Sequence, residues 1–179
     1  MAFTIRVATA SDAPRLRPVM DAAIAELQHG FLSQEQIESS RLIMGIDSQL
    51  IEDGTYFVVE DDGQVAGCGG WSRRATLYGS DSTPGRDARL LDPATEPARV
   101  RAMYTNPAFV RRGVGRMVLA ACERAARQEG FERLELMATM SGRPLYAACG
   151  FVETEPVTEA RAGDGVTVPC VRMQKSIEV

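Results

Sequence analysis

Residues 110–116, Val110-Arg111-Arg112-Gly113-Val114-Gly115-Arg116, set three arginines around two glycines. They follow the turn signal Asn106-Pro107 and open a run in which Val114, Met117, Val118, Ala121, Cys122 and Ala125 recur at helical spacing. The first N–H groups of a helix have no internal acceptor, and with the helix dipole they form an anion site. Gly113 and Gly115 remove side chains that would hold a phosphate away. Three arginines at this end oppose the dipole unless an anion compensates, a local conflict expected where a ligand binds. The chemistry predicted is therefore the binding of a phosphorylated ligand. The alternative is that the glycines only let the helix pack tightly on a strand. Neither a G-x-x-x-x-G-K-[ST] loop nor a complete G-x-G-x-x-G occurs, so the P-loop and the dinucleotide fingerprint are both excluded.

The elements around this stretch read as an alternation. Phe3, Ile5 and Val7 predict a first strand, and Leu16 to Leu27 a helix ended by His29-Gly30. Ser33-Gln34-Glu35-Gln36 has the spacing of a capping box and opens a second helix, interrupted or ended at Gly45. Thr55–Glu60 and Gln64–Trp71 flank the turn Asp61-Asp62-Gly63 as a hairpin; Gly67, Gly69 and Gly70 either weaken its second strand or let another backbone approach closely. Residues 72–98 hold prolines, glycines and mixed charges without periodicity, and predict a long loop that is either functional or disordered. Val100–Thr105 is a strand, Arg111 to Gly130 contains the helix, and Phe131–Thr139 is the next strand. A short helix spans Pro144–Cys149. Phe151–Thr154 and Val166–Met173 close the chain around a Gly163-Asp164-Gly165 turn. The strand-helix-strand unit at 100–139 implies a parallel pair with a right-handed crossover, and the hairpin implies antiparallel pairing elsewhere. The fold class is α/β, a mixed sheet with helices on both faces, in one domain over 1–179.

Composition narrows the function. The 179 residues are 45% hydrophobic and 25% charged with a net charge of −4, the balance of a soluble globular domain. An acidic chain of pI about 5.1 does not suggest a nucleic-acid partner. No apolar run approaches the ~18 residues of a membrane span, and the charged, alternating N-terminus is not a secretory signal. Cys68, Cys122, Cys149 and Cys170 form no C-x-x-C pair and His29 stands alone, so no metal site is expected. The cysteines read as reduced core thiols of a cytoplasmic protein.

Met103 to Arg116, followed by Leu119, resembles the acetyl-CoA-binding motif of the GNAT acetyltransferases: an apolar strand, a Pro-containing turn, then Arg/Gln-x-x-Gly-x-Gly/Ala at a helix start. Pro144-Leu145-Tyr146-Ala147-Ala148-Cys149-Gly150-Phe151 is similar to that family's Tyr-x-x-x-Gly-Phe. The resemblance is closest over residues 99–153. One departure is Val110, where the family often has Arg or Gln three residues before the first glycine.

The resemblance implies an N-acetyltransferase that uses acetyl-CoA as co-substrate and acts on a primary amine of a small molecule; a homodimer is common in that family, and the sequence does not fix the oligomeric state. It implies that Met103, Tyr104 and Thr105 hydrogen-bond the pantetheine arm as a neighbouring strand would. The stretch Val110, Arg111, Arg112, Gly113, Val114, Gly115 and Arg116 would wrap the pyrophosphate, and the thioester would lie where strands 100–105 and 133–139 splay apart. It assigns Tyr146 as the general acid for the leaving thiolate. The family's Glu on the strand before the motif is missing from Arg99-Val100-Arg101-Ala102-Met103. Glu26, His29, Glu35 and Glu52 are the other candidates for a base, each also an ordinary surface residue. His29 between the two early helices, with Trp71, Arg73 and Tyr78 at the hairpin end, is the expected acceptor region; an aromatic and an arginine suit a carboxylate or phosphate, and an exposed basic turn would look the same. A second reading stays open, a non-catalytic acyl-CoA-binding regulatory domain.

Overall fold

The computed structural model describes residues 2–177. Eight strands form one mixed sheet, and helices cover both faces. The elements in chain order are β1 (Thr4–Val7), α1 (Ala13–Glu26), α2 (Gln34–Ser40), α3 (Ser48–Glu52), β2 (Tyr56–Asp61), β3 (Gln64–Ser72), β4 (Ala98–Thr105), α4 (Val114–Gln128), β5 (Arg133–Thr139), α5 (Arg143–Ala148), β6 (Val152–Glu153), β7 (Thr158–Arg161) and β8 (Thr167–Ser176). The spatial order is β1-β2-β3-β4-β5-β8-β6, with β7 also on β8. All pairings are antiparallel except β4 with β5.

The sheet separates two cores, as amphipathic helices on opposite faces require. On one face α1 sets Leu16, Met20 and Ile24 against Tyr56, Val58 and Tyr104. On the other α4 sets Val114, Val118 and Cys122 against Ala66, Val100 and Leu136. The glycines of β3 make the second contact close. A Cβ on Gly67 would stand 2.5 Å from Val114 Cγ1, and one on Gly69 would stand 2.9 Å from Val118 Cγ1. The role of Gly67 and Gly69 is the close approach of α4, in line with the second of the two readings the sequence allowed, whereas Gly70 packs against Thr55 and Tyr56.

Four details differ from the sequence-based expectation. The second helix stops at Ser40, well before Gly45, and a further short helix, α3, follows with Asp47 as its N-cap. Five residues leave no measurable helical period, which hides α3 from a pattern search. The hairpin partner of β8 is β7, paired from Arg161↔Thr167 to Thr158↔Cys170, while β6 is only two residues long. The glycine turn was correctly placed, but the strand leading into it lies nearer than Phe151–Thr154. Between β3 and β4 the long loop has no helix or strand among the described residues, yet it folds back on itself. Arg74 and Leu90 form a bridge, and Thr76 Oγ1 donates to the Asp87 carbonyl at 2.7 Å. Finally, Cys149 is only half-buried, whereas the other three cysteines are buried; all four are free thiols.

Candidate active site

β4 and β5 are parallel neighbours over two residue pairs only, Ala98↔Leu134 and Arg99↔Glu135. A buried ion cluster ties this joint: Glu135 contacts the Arg99 guanidinium, lies 2.6 Å from Arg172 Nε and accepts from Gln174 at 3.0 Å. Past the joint the strands separate. The β5-facing edge of β4 from Val100 onward has no ladder partner, and a cavity of about 800 Å³ opens between the strands. Unpaired edge groups can serve an extended ligand as a neighbouring strand would.

Two backbone irregularities shape this opening. The first is a bulge in β4: the register with β3 slips between Cys68 and Gly70, and Ala102 adopts φ +53°. A non-glycine residue in this left-handed region costs about 1–2 kcal/mol. Tyr56 and Tyr104 hold the bulge from below. Tyr56 Oη donates to the Ala102 carbonyl at 2.6 Å, and Tyr104 Oη accepts from Gly45 N–H at 2.7 Å.

The second irregularity is the turn into α4. Arg111 has φ +63° and Gly113 φ +85°, two left-handed residues on either side of Arg112. The first helical bond runs from Met117 N–H to the Gly113 carbonyl. Hence the N–H groups of Val114, Gly115 and Arg116 have no acceptor within the helix. A Cβ on Gly113 would meet nothing within 4 Å. The arrangement is an open cradle of N–H dipoles suited to phosphate oxygens. Gly115 faces elsewhere: a Cβ there would stand 2.5 Å from Leu145 Cδ2, so this glycine lets α5 close on α4.

Tyr146 lies on α5 on the far wall of the same cavity, 9% exposed, its ring edge-on to Phe151 at 5.9 Å. Its hydroxyl has no hydrogen-bond partner among the described residues. Burial, aided by Cys122 and Cys149, pushes the phenol well above its ordinary value of 10.0. It is thus held as a neutral donor.

A model of the acetyltransferase (GNAT) family matches residues 20–151 of the 179. The chain belongs to the GNAT acetyltransferase family. Solved structures with the GNAT fold agree. A GCN5-related N-acetyltransferase from Rhodopseudomonas palustris aligns with TM-score 0.73 at 19% identity, covering 98% of this chain and 96% of that one. An acetyltransferase from Salmonella typhimurium, solved with its cofactor acetyl-CoA, aligns with TM-score 0.65 at 16% identity over 100% and 96% of the two chains. The PaiA N-acetyltransferase from Thermoplasma acidophilum, solved with coenzyme A, aligns with TM-score 0.65 at 15% identity over 98% and 99%. At such identities the likeness is one of fold. No curated protein matches the chain.

Within this GNAT fold the residues singled out in the sequence divide. Met103, Tyr104, Thr105, Val110, Arg111, Gly113, Val114, Gly115, Arg116 and Tyr146 line one cavity, and Tyr78 joins them from the long loop. The Tyr104 hydroxyl is itself engaged, accepting from Gly45 N–H. Arg112 is different. Its guanidinium stacks on Phe3 and Phe109 at 5.0 and 5.1 Å from the ring centroids and lies 3.6 Å from Asp61. Only its backbone belongs to the phosphate turn.

The acceptor region needs correction. Trp71 is 1% exposed and packs edge-on against Phe131, and Arg73 lies over Trp71 and pairs with Glu129 at 2.6 Å. Neither borders the cavity, because β3 carries them past the β4–β5 joint to its closed side. His29 is solvent-exposed and outside the lining, although its neighbours Gln28 and Phe31 are part of it. Glu26, Glu35 and Glu52 also lie outside. Arg101 is the residue that sequence reasoning missed. It lines the cavity one residue before the bulge, yet its pattern position on β4 marks it only as one of two charges in an apolar strand.

Among the described residues no carboxylate or histidine lines the cavity, no cluster of His, Cys, Asp and Glu could hold a metal ion, and no helix is long and apolar enough to cross a membrane.

Proposed function

We propose that this chain is an N-acetyltransferase that moves the acetyl group of acetyl-CoA to a primary amine of a small molecule. The observation that carries this reading is the meeting of three features in one cavity: the unpaired β4 edge, the open α4 cradle and the buried Tyr146 hydroxyl.

Acetyl-CoA brings an activated acyl carbon and a thiol leaving group. The β4 edge at Met103 to Thr105 holds its extended arm. The N–H groups of residues 113–116 receive the pyrophosphate, with Arg111 and Arg116 adding charge. The cleft orients a neutral amine against the acyl carbon, which supplies the proximity advantage. As the N–C bond forms and the C–S bond breaks, the sulfur takes the Tyr146 proton. The acylated nitrogen then returns its surplus proton to the phenolate. This cycle needs no separate carboxylate, in keeping with the cavity lining. A phenol of pKa ~10 is a weaker acid than a thiol of pKa ~8.5, and burial weakens this phenol further, so protonation of the thiolate is uphill by itself; it is drawn forward by the strongly acidic proton left on the acylated nitrogen, and positioning carries much of the effect.

The lack of a carboxylate or histidine in the lining also favours a second reading, a regulatory domain that binds acyl-CoA without turning it over. Thiol release from acetyl-CoA, measured with a panel of primary amines and with mass spectrometry of the acceptors, separates the two. Amine-dependent release with an acetylated product supports the enzyme. Calorimetric binding of acetyl-CoA without release supports the regulatory domain.

A further inference from the structure

The cavity has three cationic side chains in its lining, Arg101, Arg111 and Arg116. Two of them sit at the α4 cradle. Arg101 stands four residues before the end of β4, about 13 Å along the strand by ordinary strand rise. It borders the bulge at Ala102, so it belongs to the acyl-transfer end.

Its environment is unusual for a buried arginine. The side chain is only 3% exposed. Nη2 lies 2.6 Å from Asp47 Oδ2 and donates to the Gly79 carbonyl at 2.7 Å. Nε is buried and has no acceptor among the described residues. Asp47, 0% exposed, also faces Arg86 at 3.0 Å, so one carboxylate serves two guanidinium groups. Asp81 meets Arg86 only at 3.9 Å and at the surface. Both contacts to Asp47 fall outside good hydrogen-bond angles: Asp47 Oδ2 and Arg86 Nη1 stay without a directional partner, as Arg101 Nε does. Buried polar atoms are nearly always satisfied, and two guanidinium nitrogens without an acceptor, Arg101 Nε and Arg86 Nη1, in a cluster where two arginines share one buried carboxylate beside a cavity, mark a place that lacks an anion. Burial, with Arg86 nearby, also weakens the hold of Arg101 on its proton, which a further negative charge would offset.

The rest of this end is mostly apolar. Leu27, Phe31, Ile43, Met44 and Leu77 line it beside Gln28 and Tyr78, and no carboxylate among the described residues does. A diamine or polyamine would bring a second cation toward Arg101 without a counter-charge.

Resting on the acetyltransferase reading above, we propose that Arg101 determines acceptor specificity: the acceptor is a small primary amine that also carries a carboxylate, and Arg101 receives that carboxylate. The ammonium-free nitrogen then faces the bulge while the carboxylate completes the Arg101–Asp47–Arg86 cluster.

The test uses matched acceptors: glycine, β-alanine and γ-aminobutyrate, each against its carboxamide, with 1,4-diaminobutane as the dication. Thiol release is measured for the intact chain and for Arg101→Gln and Arg101→Lys, each checked for folding by circular dichroism. Loss of a charge-assisted hydrogen bond corresponds to about 10–100-fold in kcat/KM. The intact chain should prefer at least one carboxylate over its amide by that factor, Arg101→Gln should bring the ratio toward one, and Arg101→Lys should restore part of it. Equal use of acids and amides, a preference for the diamine, or a preference that survives in Arg101→Gln overturns the proposal while leaving amine acetylation intact. If no acceptor is acetylated, calorimetry of the three acids with the acetyl-CoA-loaded chain decides: no binding, or binding unchanged in Arg101→Gln, overturns it as well. Failure to bind acetyl-CoA at all refutes the acetyltransferase reading itself.

Discussion

Tyr56 holds Ala102: the phenol on β2 donates a 2.6 Å hydrogen bond to the carbonyl of the one β4 residue with positive φ. A buried tyrosine two strands away thereby fixes the bulge that opens the cleft. Tyr56→Phe leaves that carbonyl without its donor and should cost about 1–3 kcal/mol in urea denaturation. Ala102→Gly removes the left-handed strain and should recover roughly 1 kcal/mol. If Tyr56→Phe unfolds at the same urea concentration as the parent, this bond does not maintain the bulge.

The cradle can be tested by charge alone. Gly113 has φ +85° and open space at its Cβ, and both Asp and Asn tolerate that backbone better than other side chains. Gly113→Asn and Gly113→Asp should therefore fold alike. The carboxylate of Gly113→Asp should weaken acetyl-CoA binding roughly 100-fold relative to Gly113→Asn, because it faces the pyrophosphate. Equal calorimetric affinities for the two variants would move the phosphates elsewhere.

Most of this site was legible in one stretch of sequence. Residues 103–116 gave the strand, the turn and the helix start because their signals are local: a proline, two glycines, an apolar helical stripe. Tyr146 was legible through the Gly-Phe that follows it. Trp71 and Arg73 are near Tyr78 in sequence but not in space: the chain passes the closed joint between β4 and β5 before the loop returns to the cleft. Arg101 and Asp47 went unnoticed for the opposite reason. They lie 54 residues apart and meet at 2.6 Å only in the folded chain. Ala102 carries no turn-forming residue type, so its positive φ, set by Tyr56 and the β3 register, leaves no mark in the sequence.

Acid stability should depend on Asp12. Its carboxylate accepts from Arg6 at 2.7 and 2.8 Å and from Thr9 N–H at 2.8 Å, and the Arg6 bonds hold it well below the ordinary 3.8. Because its folded pKa is depressed, its contribution is present above that ordinary value and is lost as pH falls through the folded pKa. Arg6 is 40% exposed, so screening limits the contribution to about 1 kcal/mol. Asp12→Asn should lower stability by that amount near pH 7 and differ little from the parent at about pH 1. A gap that persists unchanged into strong acid would exclude ionisation of Asp12 as its source.

The most direct measurement is the single-turnover rate of acetyl transfer in Tyr146→Phe. The substitution keeps the ring that packs on Phe151 and removes only the hydroxyl, so the fold should survive. Acetyl-CoA affinity should change little, since backbone groups dominate that site. If Tyr146 protonates the departing thiolate, the rate of the chemical step should fall by about 10²–10⁴-fold with KM nearly constant. A Tyr146→Phe variant that transfers the acetyl group at the parent rate, with chemistry limiting, would contradict the mechanism and leave the tyrosine as a packed ring at the junction of α5 and the sheet.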